Sequence, residues 1–318
     1  MKRLVALSAA AFLAVALPAS AGVSLDRVSP SVGGCPFPVS FSHVLSLVPF
    51  GGGCDVAGGL GPVREIPPIS FGLGAMDNMD ALSANTHTSS KLSYHLMFSA
   101  DRASVGQPAS PYNAEAANNQ AASDLWRTSL TAGSPAGAMS ACAPVLIPTP
   151  PHVLHRNQTA FNLGRTAAPG VAVAPPQDNV DGVEMDVLDI DANGIHDFDV
   201  YFSLDAASPA LFASGADIYF SPAGGGPFFI FSFPPQIGLV AGDELDALVM
   251  WDRGVIGAPD PGIDFALFSL APGSPSLGAA SAASIFVTDF NFAFCPFAQA
   301  GLLGMQAADN VDGLDVVP

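Results

Sequence analysis

The chain has 318 residues, 28 of them acidic and 10 basic, for a formal net charge of -18. So few cations exclude nucleic acid and anionic membrane surfaces as partners, since both are bound through Lys and Arg. Only 12% of the residues are charged against 49% apolar, which excludes disorder in spite of 32 Gly and 29 Pro and points to packed sheets with many tight connections.

The chain opens on a secretory signal. Lys2 and Arg3 give a positive start, Leu4 to Leu17 an apolar run, and Ala19-Ser20-Ala21 a small-residue cleavage site before Gly22. Residues 1–21 are therefore expected to leave, and with them two of the ten basic residues. No later run is long and apolar enough for a membrane helix. The expected location is secreted, extracellular or periplasmic. Four cysteines (Cys35, Cys54, Cys142 and Cys295) then sit in an oxidising compartment. Three pairings are possible, of which Cys35–Cys54, closing a Gly-rich loop, with Cys142–Cys295 is favoured.

Residues 22–318 read as a single repeat domain. The sequence Asp178-Asn179-Val180-Asp181-Gly182-Val183 returns at Asp77, at Asp243 and at Asp309, with 65 residues from Asp178 to Asp243 and 66 from there to Asp309. A second landmark, Ser203-Leu204-Asp205-Ala206-Ala207-Ser208-Pro209, has a close copy at Ser24 and looser ones at Ser99 and Ser269. A third follows each: Cys54-Asp55-Val56, Ser123-Asp124-Leu125, Ala216-Asp217-Ile218 and Ala283-Ser284-Ile285.

The units are thus approximately 22–76, 77–177, 178–242 and 243–308. Each full one reads as four short strands. In the best copy these are Val183 to Ile190, Asp197 to Leu204, Ala216 to Phe220 and Phe228 to Phe233, the last apolar enough to be buried on both faces. The stretch 309–318 is expected to complete the first unit. That phase predicts an all-β fold of four-stranded units in a small, about four-unit, β-propeller-like ring, in which closure hides the sheet edges. An open stack of three sheets and a β-sandwich are the alternatives. A long insert near 105–175 carries an Ala-rich stretch, Ala114 to Trp126, read as a short helix.

The sharpest chemical signal is Asp189-Ile190-Asp191-Ala192-Asn193-Gly194-Ile195-His196-Asp197. Oxygen side chains at positions 1, 3, 5 and 9, with Gly at 6, have the ligand spacing of a calcium loop, and the Ile195 carbonyl can complete the shell. A metal-free Asn-Gly hairpin turn is the alternative. The strand-like Phe198 to Phe202 that follows rules out an EF-hand. The nonapeptide resembles the Asp-x-Asp-x-[Asp/Asn]-Gly-x-x-Asp loop of FG-GAP and VCBS propeller repeats, where it joins two strands of one blade. That resemblance implies a structural Ca2+ held by Asp189, Asp191, Asn193, Asp197 and the backbone of Ile195. It covers nine residues and their strand context. The matching loops around Asn85 and around Asp260 to Asp264 have lost the pattern.

The repeated Asp-x-x-Asp admits two readings, further cation sites or capping of turn amides, and capping is preferred. No Gly-x-Ser-x-Gly elbow and no His-Glu-x-x-His helix is present, so no catalytic residues are assigned. His87, His95, Arg127, His152, His155, Arg156 and Arg165 cluster in the first full unit and its insert, either as a polar face or as ordinary surface. Trp126 and Trp251 read as core. The leading expectation is a secreted, calcium-stabilised β-repeat protein acting as an extracellular binding or surface-interaction module for a protein or glycan. A secreted hydrolase or lyase of polysaccharide type with its site in the insert loops is the competitor. A structural envelope or matrix component is the third reading. Carboxylates and His converging at the ring axis favour an enzyme; a smooth apolar face favours binding.

Overall fold

Strands that alternate in sequence pair with one another in space. In the computed structural model β8 (Val180–Leu188) and β9 (Asp197–Leu204) run antiparallel from Val180↔Leu204 to Leu188↔Asp197. Val183 and Met185 stand directly opposite Phe202 and Val200, and all four are buried. Cross-strand pairs of this kind are the unit of sheet stability. The structure describes residues 20–25, 29–30, 44–47, 63–66, 73, 76–83, 93–106, 108, 111–117, 121–131, 153–156, 178–188, 197–208, 214–222, 228–303 and 305–317.

Among the described residues the fold is all-β, with four antiparallel sheets of four strands each. β10 (Ile218–Ser221) and β11 (Phe229–Ser232) complete the sheet begun by β8 and β9. The next sheet runs in chain order through β12 (Leu245–Trp251), β13 (Phe265–Leu270), β14 (Ile285–Thr288) and β15 (Phe294–Ala298). Another holds β4 (Ala81–Ser83), β5 (Ser93–Ser99), β6 (Leu125–Thr131) and β7 (Val153–Arg156).

The remaining sheet joins the two ends of the chain. Its order is β16 (Val311–Val317), β1 (Ser20–Leu25), β2 (Val44–Leu47) and β3 (Val63–Ile66). β16 pairs with β1 from Leu25↔Val311 to Ser20↔Val317. Ser20 and Ala21 precede the expected cleavage point, while Gly22 to Leu25 retain partners in Asp315, Leu314, Gly313 and Val311.

The apolar cores lie between successive sheets rather than at one centre. Tyr201, Phe220 and Phe231 of the β8–β11 sheet pack on Leu248, Met250, Phe268 and Phe286 of the next. Val249, Leu267 and Ile285 pack in turn on Leu25, Val311 and Leu314. Ala81, Met97 and Leu125 pack on Val183, Met185 and Phe202. Trp126 is fully buried with Phe98 and Tyr112, and Trp251 is packed at a core margin, so both indoles fill cores.

The strand that opens each sheet, β4, β8, β12 or β16, touches the next: β4 with β8, β8 with β12, β12 with β16 and β16 with β4. One serine per sheet fixes each junction. Ser24 donates to the Met79 carbonyl at 3.0 Å, Ser99 to Val180 at 2.5 Å, Ser203 to Leu245 at 3.3 Å and Ser269 to Val311 at 2.8 Å. All four hydroxyls are buried, as the first residues of the second sequence landmark. Close approach also needs glycine. A Cβ on Gly182 would lie 2.7 Å from Ser203 Oγ and 2.9 Å from Leu248 Cβ, and one on Gly313 would strike Ser24 Oγ.

Two expectations are corrected. Phe228 to Phe233 is not buried on both faces, because β11 is the outermost strand of its sheet: Phe231 is buried but Phe229 is 47% exposed. Ala114 to Trp126 is not one helix. A helix spans Pro111–Ala116, a 3-10 turn spans Ala121–Ser123, and Trp126 already lies in β6, where it pairs with Phe98. No described helix is long and apolar enough to cross a membrane. Cys295 is exposed in β15; Cys35, Cys54 and Cys142 lie outside the described residues.

Candidate functional site

The four leads into β4, β8, β12 and β16 carry the repeated Asp-x-x-Asp, and the structure gives its two aspartates different work. At Asp77, Asp243 and Asp309 the first caps backbone. Asp77 accepts from the N–H groups of Val105 and Gly106 at 2.8 and 2.9 Å. Asp243 accepts from the N–H groups of Val240 and Ser276, both at 2.8 Å, and Asp309 from Gln306 at 2.6 Å. A buried carboxylate that ties down amides stiffens a turn. The residue after it is clamped by the sixth residue of the second landmark. Ser104, Ser208, Ser274 and Ser29 each accept from the backbone N–H of Asn78, Asn179, Glu244 and Asn310 at 2.8 to 3.1 Å.

The second aspartate turns inward. Asp80, Asp181, Asp246 and Asp312, one from each sheet, line a single cavity of about 350 Å3. The residues between the two aspartates decide its electrostatics. Asn78 donates through Nδ2 to its own Asp80 at 2.7 Å and to Asp312 of the neighbouring sheet at 2.8 Å. Asn179 repeats the pattern one sheet on, donating to Asp181 at 2.6 Å and to Asp80 at 2.7 Å. Asn310 donates to Asp312 at 2.7 Å. Each amide thus sets its hydrogens against carboxylate oxygens that would otherwise repel one another.

At the fourth position the residue is Glu244, which when ionised can only accept. Its Oε1 accepts from the Ala206 N–H at 2.6 Å. Asp181, Asp205 and Glu244 each bring a carboxylate oxygen to within 4.8 Å of the others. Arg102 reaches this corner from the sheet before, meeting Asp205 at 3.0 Å, with both side chains about a quarter exposed. Burial holds the Asp80 carboxyl well above the usual carboxylate range, helped by the charge of Asp101 and opposed by the Asn179 and Asn78 amides. Burial raises Asp181 in the same way, with Asp80 and Asp246 adding to it. Glu244 is raised by burial and by Asp205, against the Ala206 N–H and the charge of Arg102.

The carbonyl oxygens of the amides are on the other side of the balance. Asn78, Asn179 and Asn310 are 4–5% exposed, and the Oδ1 of each has no hydrogen-bond partner. All three residues line the cavity. Their Nδ2 bonds to carboxylates fix which way each amide points, so the oxygens cannot be swapped for nitrogens without setting oxygen against oxygen.

Of the calcium loop, the structure describes the two flanking strand ends, Asp197 among them. β8 ends at Leu188 and β9 begins at Asp197, paired with one another, while Asp189, Asp191, Asn193 and Ile195 lie outside the described residues. Only the strand position of Asp197 is described. The corresponding connection between β12 and β13 closes on itself: Asp264 accepts from the N–H groups of Arg253, Gly254 and Asp260 at 2.7 to 3.1 Å. Of the polar cluster read in the first unit, His95, Arg127, His155 and Arg156 stand in β5, β6 and β7, and His87, His152 and Arg165 lie outside the described residues. No histidine is among the described residues that line the cavity.

The cavity itself was not singled out in the sequence. The Asp-x-x-Asp motif is visible in the sequence, but its spacing assigns no role to Asn78, Asn179, Asn310 or Glu244. The usable signal was that one copy of an otherwise Asn position carries a charge. Compared with known proteins, the chain matches no family model, no curated protein and no solved structure.

Proposed function

We propose that the chain is a secreted, calcium-stabilised β-repeat protein of propeller type, whose four sheets form a ring around the acidic cavity, acting as an extracellular binding module for a protein or glycan. The observation that carries this reading is the meeting of Asp80, Asp181, Asp246 and Asp312 from four sheets in one cavity. The serine bonds from each sheet to the next, including Ser269 to Val311, support the ring. The antiparallel pairing of Leu188 with Asp197 supports a calcium loop joining two strands of one sheet, as in the FG-GAP and VCBS repeats that it resembles. Carboxylates held by amides, without a histidine among the described lining residues, favour binding over turnover.

A polysaccharide hydrolase is the second reading. Glu244, whose carboxyl burial raises, stands beside Asp205, and a raised acid next to a second carboxylate is the pattern of a glycosidase pair. One experiment separates the two. The mature chain is incubated in calcium with the producing cells and with a panel of insoluble polysaccharides, and both co-sedimentation and release of reducing ends are measured. Chelator-sensitive co-sedimentation without reducing ends is expected. Reducing-end release establishes the hydrolase, and neither signal contradicts both. Calcium at the loop is checked apart from this by melting: Asp191→Ala is expected to lower the calcium-dependent rise in Tm, and magnesium to substitute poorly.

A further inference from the structure

We propose that the cavity holds a divalent, oxygen-seeking cation, of the calcium class, at the corner formed by Asp181, Asp205 and Glu244, with the Asn179 Oδ1 as a fourth ligand. This site is distinct from the loop at 189–197 and does not depend on the protein being a binding module.

The argument starts from the pattern that Glu244 breaks. Asn78 and Asn179 each put an amide between two carboxylates of neighbouring sheets, donating to both. Glu244 occupies the equivalent position in the β12 lead and brings a further carboxylate where the other copies bring a donor. Three carboxylate oxygens then lie within 4.8 Å of one another. Arg102 pairs with Asp205 at 3.0 Å and its charge also acts on Glu244, one cation against three carboxylates. Mutual repulsion at this range, partly shielded from water, is relieved by a cation placed among the oxygens.

A second observation comes from an uncharged group bonded to the same Asp181 at 2.6 Å. Asn179 is 4% exposed, lines the cavity, and its Oδ1 has no hydrogen-bond partner. An amide oxygen left without a donor in a buried place is costly, and it is an ordinary calcium ligand. The Nδ2 of the same amide is anchored to Asp181 and Asp80, so the oxygen is held in place rather than free to turn to solvent. Oxygen-only donors select a hard cation over zinc or copper. The flexible, irregular arrangement of carboxylates and amide suits Ca2+ better than the strict octahedron that Mg2+ needs.

The test uses the mature chain carrying Asp191→Ala, which disables the loop, so the outcome does not turn on calcium binding there. Chelator-treated protein is titrated with CaCl2 by calorimetry and with TbCl3 by sensitised luminescence. One site per chain is expected, with ZnCl2 failing to compete. Glu244→Gln in the same background should weaken calcium at least about 10-fold while far-UV circular dichroism stays unchanged. Asp205→Asn, at a side chain about a quarter exposed, gives the same reading if Glu244→Gln does not fold. Absence of any site in the Asp191→Ala chain overturns the proposal. So does a folded Glu244→Gln or Asp205→Asn chain that binds calcium as tightly as its parent.

Discussion

The Ser269 hydroxyl donates to the Val311 carbonyl at 2.8 Å, and through that bond the fourth sheet of the chain meets the sheet that holds both chain ends. The partners are 42 residues apart and the hydroxyl is fully buried. Ser269→Ala leaves the carbonyl without this donor, which costs about 1–3 kcal/mol for a buried group. Urea unfolding should show that loss. An unchanged midpoint would mean that the sheets meet without help from the serine.

Gly182 sits where β8 packs against Leu248 of β12. A methyl group there lies 2.7 Å from Ser203 Oγ and 2.9 Å from Leu248 Cβ, so strands must separate to admit it. Gly182→Ala is expected to destabilise the protein by about 1–3 kcal/mol. Gly301→Ala, with nothing within 4 Å of the added carbon, is the control and should move stability by less than about 0.5 kcal/mol. Equal effects of the two in thermal melts would contradict the close approach.

Much of this fold was legible. The phase of the Asp-x-x-Asp copies gave the number of sheets, because each copy leads into an opening strand and strand alternation is a local property. The serines at 24, 99, 203 and 269 were visible as a landmark, but not as bonds between sheets, since a hydroxyl's partner 42 to 81 residues away leaves no local trace. The helix expected over Ala114 to Trp126 failed for a related reason. Alanine propensity is worth tenths of a kcal/mol per residue, whereas burying Trp126 between Phe98 and Tyr112 is worth several, and the indole is held by β6. The cavity was half legible: its carboxylates repeat, but what Asn78 does to Asp312 is 234 residues distant.

Stability of the chelated protein should fall as pH rises. Asp80, Asp181 and Asp252 all have carboxyls raised above the ordinary range, each by burial first. Between the unfolded carboxylate pKa of about 4 and the raised folded values, the native state holds more protons than the unfolded one. Their contribution is therefore complete below about pH 4 and is lost as pH climbs through the folded values. Urea unfolding in chelator at pH 5 and at pH 8 should give the higher midpoint at pH 5. A higher midpoint at pH 8 would show that these groups do not govern the pH dependence.

Tyr112 is fully buried against Trp126, with ring centroids 5.2 Å apart, and its hydroxyl has no hydrogen-bond partner. Burial, with Asp101 and Asp77 nearby, pushes its ionisation well above the usual tyrosine range, so it stays neutral. Tyr112→Phe keeps the ring contact and removes the unpaired polar group. A gain of about 1 kcal/mol is expected in urea unfolding. A loss of that size would mean that the hydroxyl makes a bond, through water for instance.

The most direct test of the cavity as the chemical centre of the molecule is anomalous diffraction from crystals of the mature chain grown in calcium and soaked in terbium. A peak among Asp181, Asp205, Glu244 and Asn179 Oδ1 is expected, separate from any peak at the 189–197 loop. A clear map with no anomalous density in that corner, the three carboxylates joined instead by protons or water, would contradict it.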